Sequence, residues 1–148
     1  MARFKFRLET NLRLAEKALE TAQREFAQAE KRWQECVRTT ALQQTRFDEA
    51  EDGQREAGRH RPEELGIWQV FVWEQRRRLR QCELEQREQE LVRDDARCLL
   101  LETHREVEKF RRLKEKQAMA FEWAELLKEQ KILDETGQIL HWRQEKLI

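Results

Sequence analysis

The chain contains no serine and no tyrosine, one proline, four glycines, and three cysteines scattered along 148 residues. Each shortage excludes a class of function. Without serine, and with no glycine-rich loop followed by Lys and Ser or Thr, there is no phosphate cradle, and no glycine triplet marks a dinucleotide fold. Cys36, Cys82 and Cys98 are odd in number and lack the close spacing of a zinc site or a redox pair, so reduced, partly buried thiols are expected. His60, His104 and His141 lie too far apart to form a metal cluster or to activate a cysteine. No catalytic residue, cofactor or metal is therefore expected, and the protein is read as a non-enzyme.

Two further shortages concern location and partners. Thirty Lys plus Arg balance thirty Asp plus Glu, so no field of one sign is available to hold a phosphate backbone, and nucleic acid is not an expected partner. No apolar run approaches the length of a bilayer span, and the start, Met1-Ala-Arg-Phe-Lys-Phe-Arg-Leu, has positive charge with no apolar run behind it. The expected location is cytoplasmic.

What the chain has is charge and rhythm. With 41% charged and only 39% hydrophobic residues, it cannot fill a three-dimensional core, but it can supply an apolar seam along a helix. From Leu8 the apolar residues alternate in steps of four and three: Leu8, Leu12, Ala15, Leu19, Ala22, Phe26, Ala29, Trp33, Cys36, then Thr40, Gln43, Phe47 and Ala50. A mean spacing of three and a half keeps one stripe facing a partner in a left-handed supercoil. The predicted fold is all-α, a long antiparallel two-helix coiled coil, as a single domain over residues 1–148.

Gly53, Gly58 and Pro62 cluster with polar residues where the rhythm stops, which predicts helix one over about 5–52 and a turn over about 53–62. Pro62 suits a first helical position and Glu63 and Glu64 complement the helix dipole, so helix two is predicted over about 63–136, on the order of 110 Å long. Gly137 predicts a separate tail over 137–148. The second seam is looser: Leu79, Cys82, Ala96, Leu100, Thr103, Val107, Phe110, Gln117, Phe121 and Ala124 fit one stripe, with gaps at Gln86, Gln89 and Arg93 and a predicted register shift around 84–93.

Folding back at the turn would bring Leu8 to Val107–Phe110 and Cys36 to the neighbourhood of Cys82. It leaves residues 111–136 without an opposite number. There Ala118-Met-Ala-Phe-Glu-Trp-Ala-Glu-Leu-Leu places apolar side chains nearly all round the helix, a pattern that calls for cover. Phe4 and Phe6 or a second copy of the chain could supply it; a separate protein partner is the preferred reading. Ile67, Trp68, Val70, Phe71, Val72 and Trp73 crowd more than one face at the start of helix two, either packing on the turn or forming a binding surface. The run Arg76, Arg77, Arg78 and Arg80 reads as a flank paired with Asp48, Glu49, Glu51 and Asp52, with an acidic or phosphate partner as the sharper alternative.

The start Phe4-Lys-Phe-Arg-Leu-Glu-Thr, the Ala- and Glu-rich heptads and the late Glu129-Gln-Lys-Ile-Leu-Asp-Glu together resemble the FliJ family of flagellar type III export proteins. The resemblance implies a fold similar to the central stalk of rotary ATPases. It also implies a cytoplasmic protein that inserts into the ring of the flagellar export ATPase, contacts the membrane export gate and escorts export chaperones, reaching the inner membrane only through protein contacts. By resemblance, Phe4, Phe6, Leu8 and Glu9 match the N-terminal motif and Glu129, Gln130, Lys131, Leu133, Asp134 and Glu135 the C-terminal one. These ten are expected to face the ATPase, with Phe121, Trp123 and Leu127 as the apolar tip, while Trp68, Phe71 and Trp73 are approximate matches to the gate-contacting positions. Motility, chemotaxis and flagellum biogenesis follow as expected processes. The alternatives are the equivalent stalk of a virulence-type secretion system and a self-associating structural coiled coil.

Overall fold

The computed structural model describes residues 2–147; the parts of the expectations that fall on Met1 and Ile148 lie outside the described residues. Helix α1 runs Glu9–His60, one 3₁₀ turn follows at Pro62–Glu64, and helix α2 runs Leu65–Leu147. The helices pack against each other as an all-α coiled-coil hairpin, with no strand among the described residues. The chain divides into two compact units: a turn unit, Leu19–Thr103, and a terminal unit, Met1–Ala18 with His104–Ile148.

In the turn unit the chain reverses at Arg61, not across the predicted stretch 53–62. Proline disfavours the helical region for the residue before it, and Arg61 sits at φ −144° and ψ 66°, outside that region. Pro62 then opens the 3₁₀ turn, where its missing N–H would have no partner anyway. The Arg61 N–H donates to the Ala57 carbonyl at 2.7 Å, and the Glu64 N–H to the Arg61 carbonyl at 3.0 Å.

Helix α1 survives Gly53 and Gly58 because its seam continues past Ala50 through half-buried Gln54 to Ala57, which is 0% exposed. Gly53 is a notch and not a breaker. A Cβ placed there would lie 2.4 Å from a ring carbon of Trp68, so the missing side chain is what lets the indole lie against α1. The later reversal point also moves the cross-seam register from the expected one. Trp33, expected opposite residues 82–87, instead has the Arg93 guanidinium 4.0 Å from its ring centroid.

No register shift occurs at 84–93. On α2, Leu65, Trp68, Val72, Gln75, Leu79, Cys82, Gln86, Gln89, Arg93, Ala96, Leu100 and Thr103 are all buried or half-buried, in steps of three and four throughout. Of the residues that looked like gaps, Gln86 and Gln89 are half-buried, Gln89 Oε1 without a hydrogen-bond partner among the described residues, while polar bonds elsewhere along the seam fix its register. Gln43 Nε2 donates to Gln75 Oε1 at 2.7 Å and to the Gln75 carbonyl at 3.3 Å, and Thr40 Oγ1 donates to the Cys82 carbonyl at 3.3 Å. Arg93 covers Trp33 and pairs with Glu30 at 3.8 Å, Glu90 at 3.8 Å and Asp94 at 3.2 Å. Cys36 and Cys82 are both half-buried on the seam, and Cys98 is exposed. Burial, then the neighbouring Glu85, Cys36 and Glu83, push the Cys82 thiol up.

In the terminal unit α1 begins at Glu9, later than the predicted 5. The two phenylalanines explain the delay. Residues 2–6 have no regular secondary structure, whereas a helix there would splay Phe4 and Phe6 far round its circumference. Phe4 lies 5.7 Å from Phe121 between ring centroids, Phe6 is buried, and Leu8 is half-buried. Leu12 and Val107 complete the buried apolar set, and Glu9–Lys114 at 2.9 Å and Glu16–Arg111 at 3.5 Å flank it. Leu8 was expected at residues 107–110; its neighbour Glu9 pairs instead with Lys114.

The drift predicted for 84–93 sits here. Half-buried positions on α2 run Phe110, Lys114, Ala118, Phe121 and Glu125, so two steps of four follow one another, a local stutter in the seam. Gln117 and Ala124, expected on the stripe, are exposed. Helix α2 also continues through Gly137 to Leu147, so no separate tail begins at 137. One glycine among good helix formers costs about 1 kcal/mol, too little to end the helix.

Candidate partner-binding surfaces

The non-helical segment Phe4–Leu8 and the later turn together carry the intramolecular cover along α2 as far as Glu125. From Leu126 to Leu147 every residue is exposed. The bare segment is therefore shorter at its beginning and longer at its end than the expected 111–136.

The expected ATPase-facing residues separate into two kinds. Phe4, Leu8, Glu9 and Phe121 are half-buried and Phe6 is buried, all engaged in holding the N-terminal segment on α2. Phe4 and Phe6 thus take the covering role. Trp123 at 65%, Leu127 at 49% and Leu133 at 70% are open to solvent, and Glu129, Gln130, Lys131, Asp134 and Glu135 stand exposed around Leu133. These eight are available to a partner as they stand.

Sequence reasoning missed the order within the bare segment. Met119, Leu126, Leu133, Leu140 and Leu147 recur every seven residues, on one slowly drifting face, and all are more than half exposed. Ile132 and Ile139 continue, at steps of seven from Glu125, the stripe that faces α1 higher up the helix. Taking Gly137 as a helix end hid the second half of this pattern. Its signal was the spacing of the leucines.

In the turn unit, Trp68 is half-buried in the Gly53 notch and meets Phe71 edge-on, with ring centroids 5.8 Å apart at 82°. That contact anchors it, so Trp68 is chiefly a packing residue. Phe71 and Trp73 remain exposed, joined by Ile67 at 75% and Val70 at 69%, which were not among the expected contact residues. Val72, from the same crowded stretch, is buried.

The arginine run is largely satisfied within the unit. Arg76 lies 5.5 Å from the Phe47 ring centroid and 4.0 Å from Glu51, while Arg77 and Arg78 both reach Glu74 at 3.3 Å. Of the four acids expected to pair with the run, Glu51 is the one seen to meet it among the described residues; Glu74, on α2 itself, takes Arg77 and Arg78. These exposed pairs each contribute little to stability.

Among the described residues no group of three or more His, Cys, Asp or Glu is placed to hold a metal ion, and no helix is long and apolar enough to cross a membrane. The chain matches a protein family described as flagellar FliJ protein over residues 4–146. No curated protein and no solved structure matches it.

Proposed function

The chain belongs to the FliJ family of flagellar export proteins, and from that premise we propose that it is the stalk that binds the flagellar export ATPase ring through the bare end of α2. The observation that carries this reading is the segment after Glu125, a helix whose large apolar side chains are all exposed among the described residues. An exposed apolar surface of this kind marks an interaction site. Trp123, Leu127 and Leu133 supply its anchors, and Glu129, Gln130, Lys131, Asp134 and Glu135 its polar rim.

In this reading the hairpin contributes no chemistry; its partner hydrolyses the nucleotide, and the helix entering the ring favours the assembled, active state by binding it more tightly. The exposed Ile67, Val70, Phe71 and Trp73 near the chain reversal form the surface for the membrane export gate, and the flanks of the coil escort export chaperones. Attachment to the inner membrane is then through these protein contacts, from the cytoplasmic side.

Mixing the chain with the export ATPase should raise the rate of ATP hydrolysis. Replacing Trp123→Ala together with Leu127→Asp should remove most of that stimulation while leaving the helical circular dichroism signal unchanged, since both side chains are solvent-exposed. A double variant that stimulates as well as wild type would exclude this surface.

A further inference from the structure

The bare end of α2 is self-complementary when read against itself in reverse. Turn a second copy end for end about a twofold axis at Thr136, so that each pair named next stands within one residue of level. Leu126 then meets the copy's Leu147, and Leu133 meets the copy's Leu140. One position earlier in each heptad, Ile132 meets the copy's Ile139 and Glu125 meets the copy's Lys146. Apolar faces apolar along both stripes, and the end of the apolar overlap is closed by opposite charges.

A parallel, in-register pair would keep leucine on leucine but would set Glu125 beside Glu125 and Lys146 beside Lys146, like charge on like. Charge therefore selects the antiparallel arrangement, which is also an isologous one that closes on itself without forming filaments. Nothing in the chain competes strongly for these residues. Every leucine and isoleucine named is more than half exposed. Among the described residues Glu125 pairs with its own-helix neighbour Lys128 at 3.7 Å, and Lys146 lies over Trp142 of the same turn; such local contacts are cheaply replaced.

We infer that two copies of the chain pair antiparallel through residues 125–147, and that this pair masks the surface through which the chain is proposed to bind the export ATPase. The masking role rests on the stalk reading; the pairing does not. The overlap is three heptads, near the short end for a two-stranded coil, so the pair forms and parts with concentration. A ring offering a tighter site releases it by mass action.

Sedimentation velocity on the full chain over a wide concentration range tests the pairing. Wild type should pass from monomer to dimer as concentration rises. Glu125→Lys and Lys146→Glu should each weaken the dimer about tenfold, because each puts like charges at both ends of the twofold pair. An equimolar mixture of the two variants should recover wild-type association, since one carries two positive and the other two negative charges at these positions; the orientation itself is read from the single variants, which add like-charge contacts in the antiparallel pair and not in the parallel one. A monomer at all concentrations, or single variants that associate like wild type, or a mixture that gains nothing, would each overturn the pairing. Both positions are on the helix surface, and an unchanged helical signal checks that the fold is intact. The ATPase assay separates the two ideas. A chain that never dimerises yet stimulates hydrolysis defeats the pairing and keeps the stalk; a chain that dimerises as described but leaves the ATPase untouched keeps the pairing and removes the masking role.

Discussion

The seam of the turn unit and the bare end of α2 invert the usual relation between hydrophobicity and burial. In the turn unit the chain covers Gln43, Gln75, Gln86, Gln89 and Arg93, while beyond Glu125 it leaves Leu126, Leu133, Leu140 and Leu147 in water. The first region could have been made more stable by apolar residues and the second more soluble by polar ones. Each instead fits a requirement that stability alone does not set. A seam of interchangeable apolar residues lets two long helices slide by a heptad at small cost, whereas a Gln bonded to one particular Gln fixes which residues face. A stripe of leucines left in water marks an interaction surface.

The strongest way to break this comparison is at the Gln43–Gln75 pair, where both side chains are about 5–6% exposed. Gln75→Leu leaves the Gln43 amide buried with its side-chain acceptor gone, a loss of about 2–3 kcal/mol in denaturant melts. Replacing both with leucine should restore or exceed wild-type stability, because no polar group is then left unpaired. The price of that rescue is register. Single cysteines introduced along the two helices should then cross-link at several offsets in the double variant and at one in wild type. If the double leucine variant holds a single register, the glutamines are not what sets it.

Gly53→Ala sharpens the same comparison from the apolar side, with a loss of about 1–2 kcal/mol as the Trp68 ring is driven from the space a Cβ would need. The Trp68 fluorescence change is partly obscured by four other tryptophans, so the informative measurement is the melt of Gly53→Ala against that of Gly53→Ala with Trp68→Ala. The added Ala should cost nothing further once the ring is gone. Equal losses in both backgrounds would show that the glycine serves some other purpose.

These residues also mark how far the sequence could be read. The four-and-three rhythm from Leu8 to Ala50 carries the fold because period and handedness are properties of spacing alone. The end points were not legible at Gly53, Gly58 and Gly137, because a glycine says only that a Cβ is absent and not whether a neighbouring ring or nothing at all takes its place. The displaced reversal moves cross-seam partners such as Glu9 and Lys114, although Cys36 keeps its place beside Cys82, and Gln86, Gln89 and Arg93 look like gaps because they are polar. The candidate surface was legible where it depends on apolar content, as at Trp123 and Leu127. It was not legible where cover comes from outside helical periodicity: the non-helical Phe4 and Phe6 close over part of the expected tip.

The smallest expected effect isolates the bare end from everything packed. Gly137, like Gly53, lies inside a helix, yet a Cβ there would meet nothing within 4 Å, and no residue of its backbone has positive φ. The same substitution should therefore change sign between the two sites. Gly137→Ala removes backbone freedom from the unfolded chain and adds no clash, so it should stabilise the helix locally by about 0.5–1 kcal/mol. At concentrations where the chain is a monomer the surrounding residues have no packing to protect them, so that gain should appear as slower amide hydrogen exchange over residues 130–145, with little change at buried Val107. Slowed exchange confined to the bare end would mean that its order depends on helix propensity alone. Faster exchange there would mean that the open space beside Gly137 is filled in solution by a side chain from another copy.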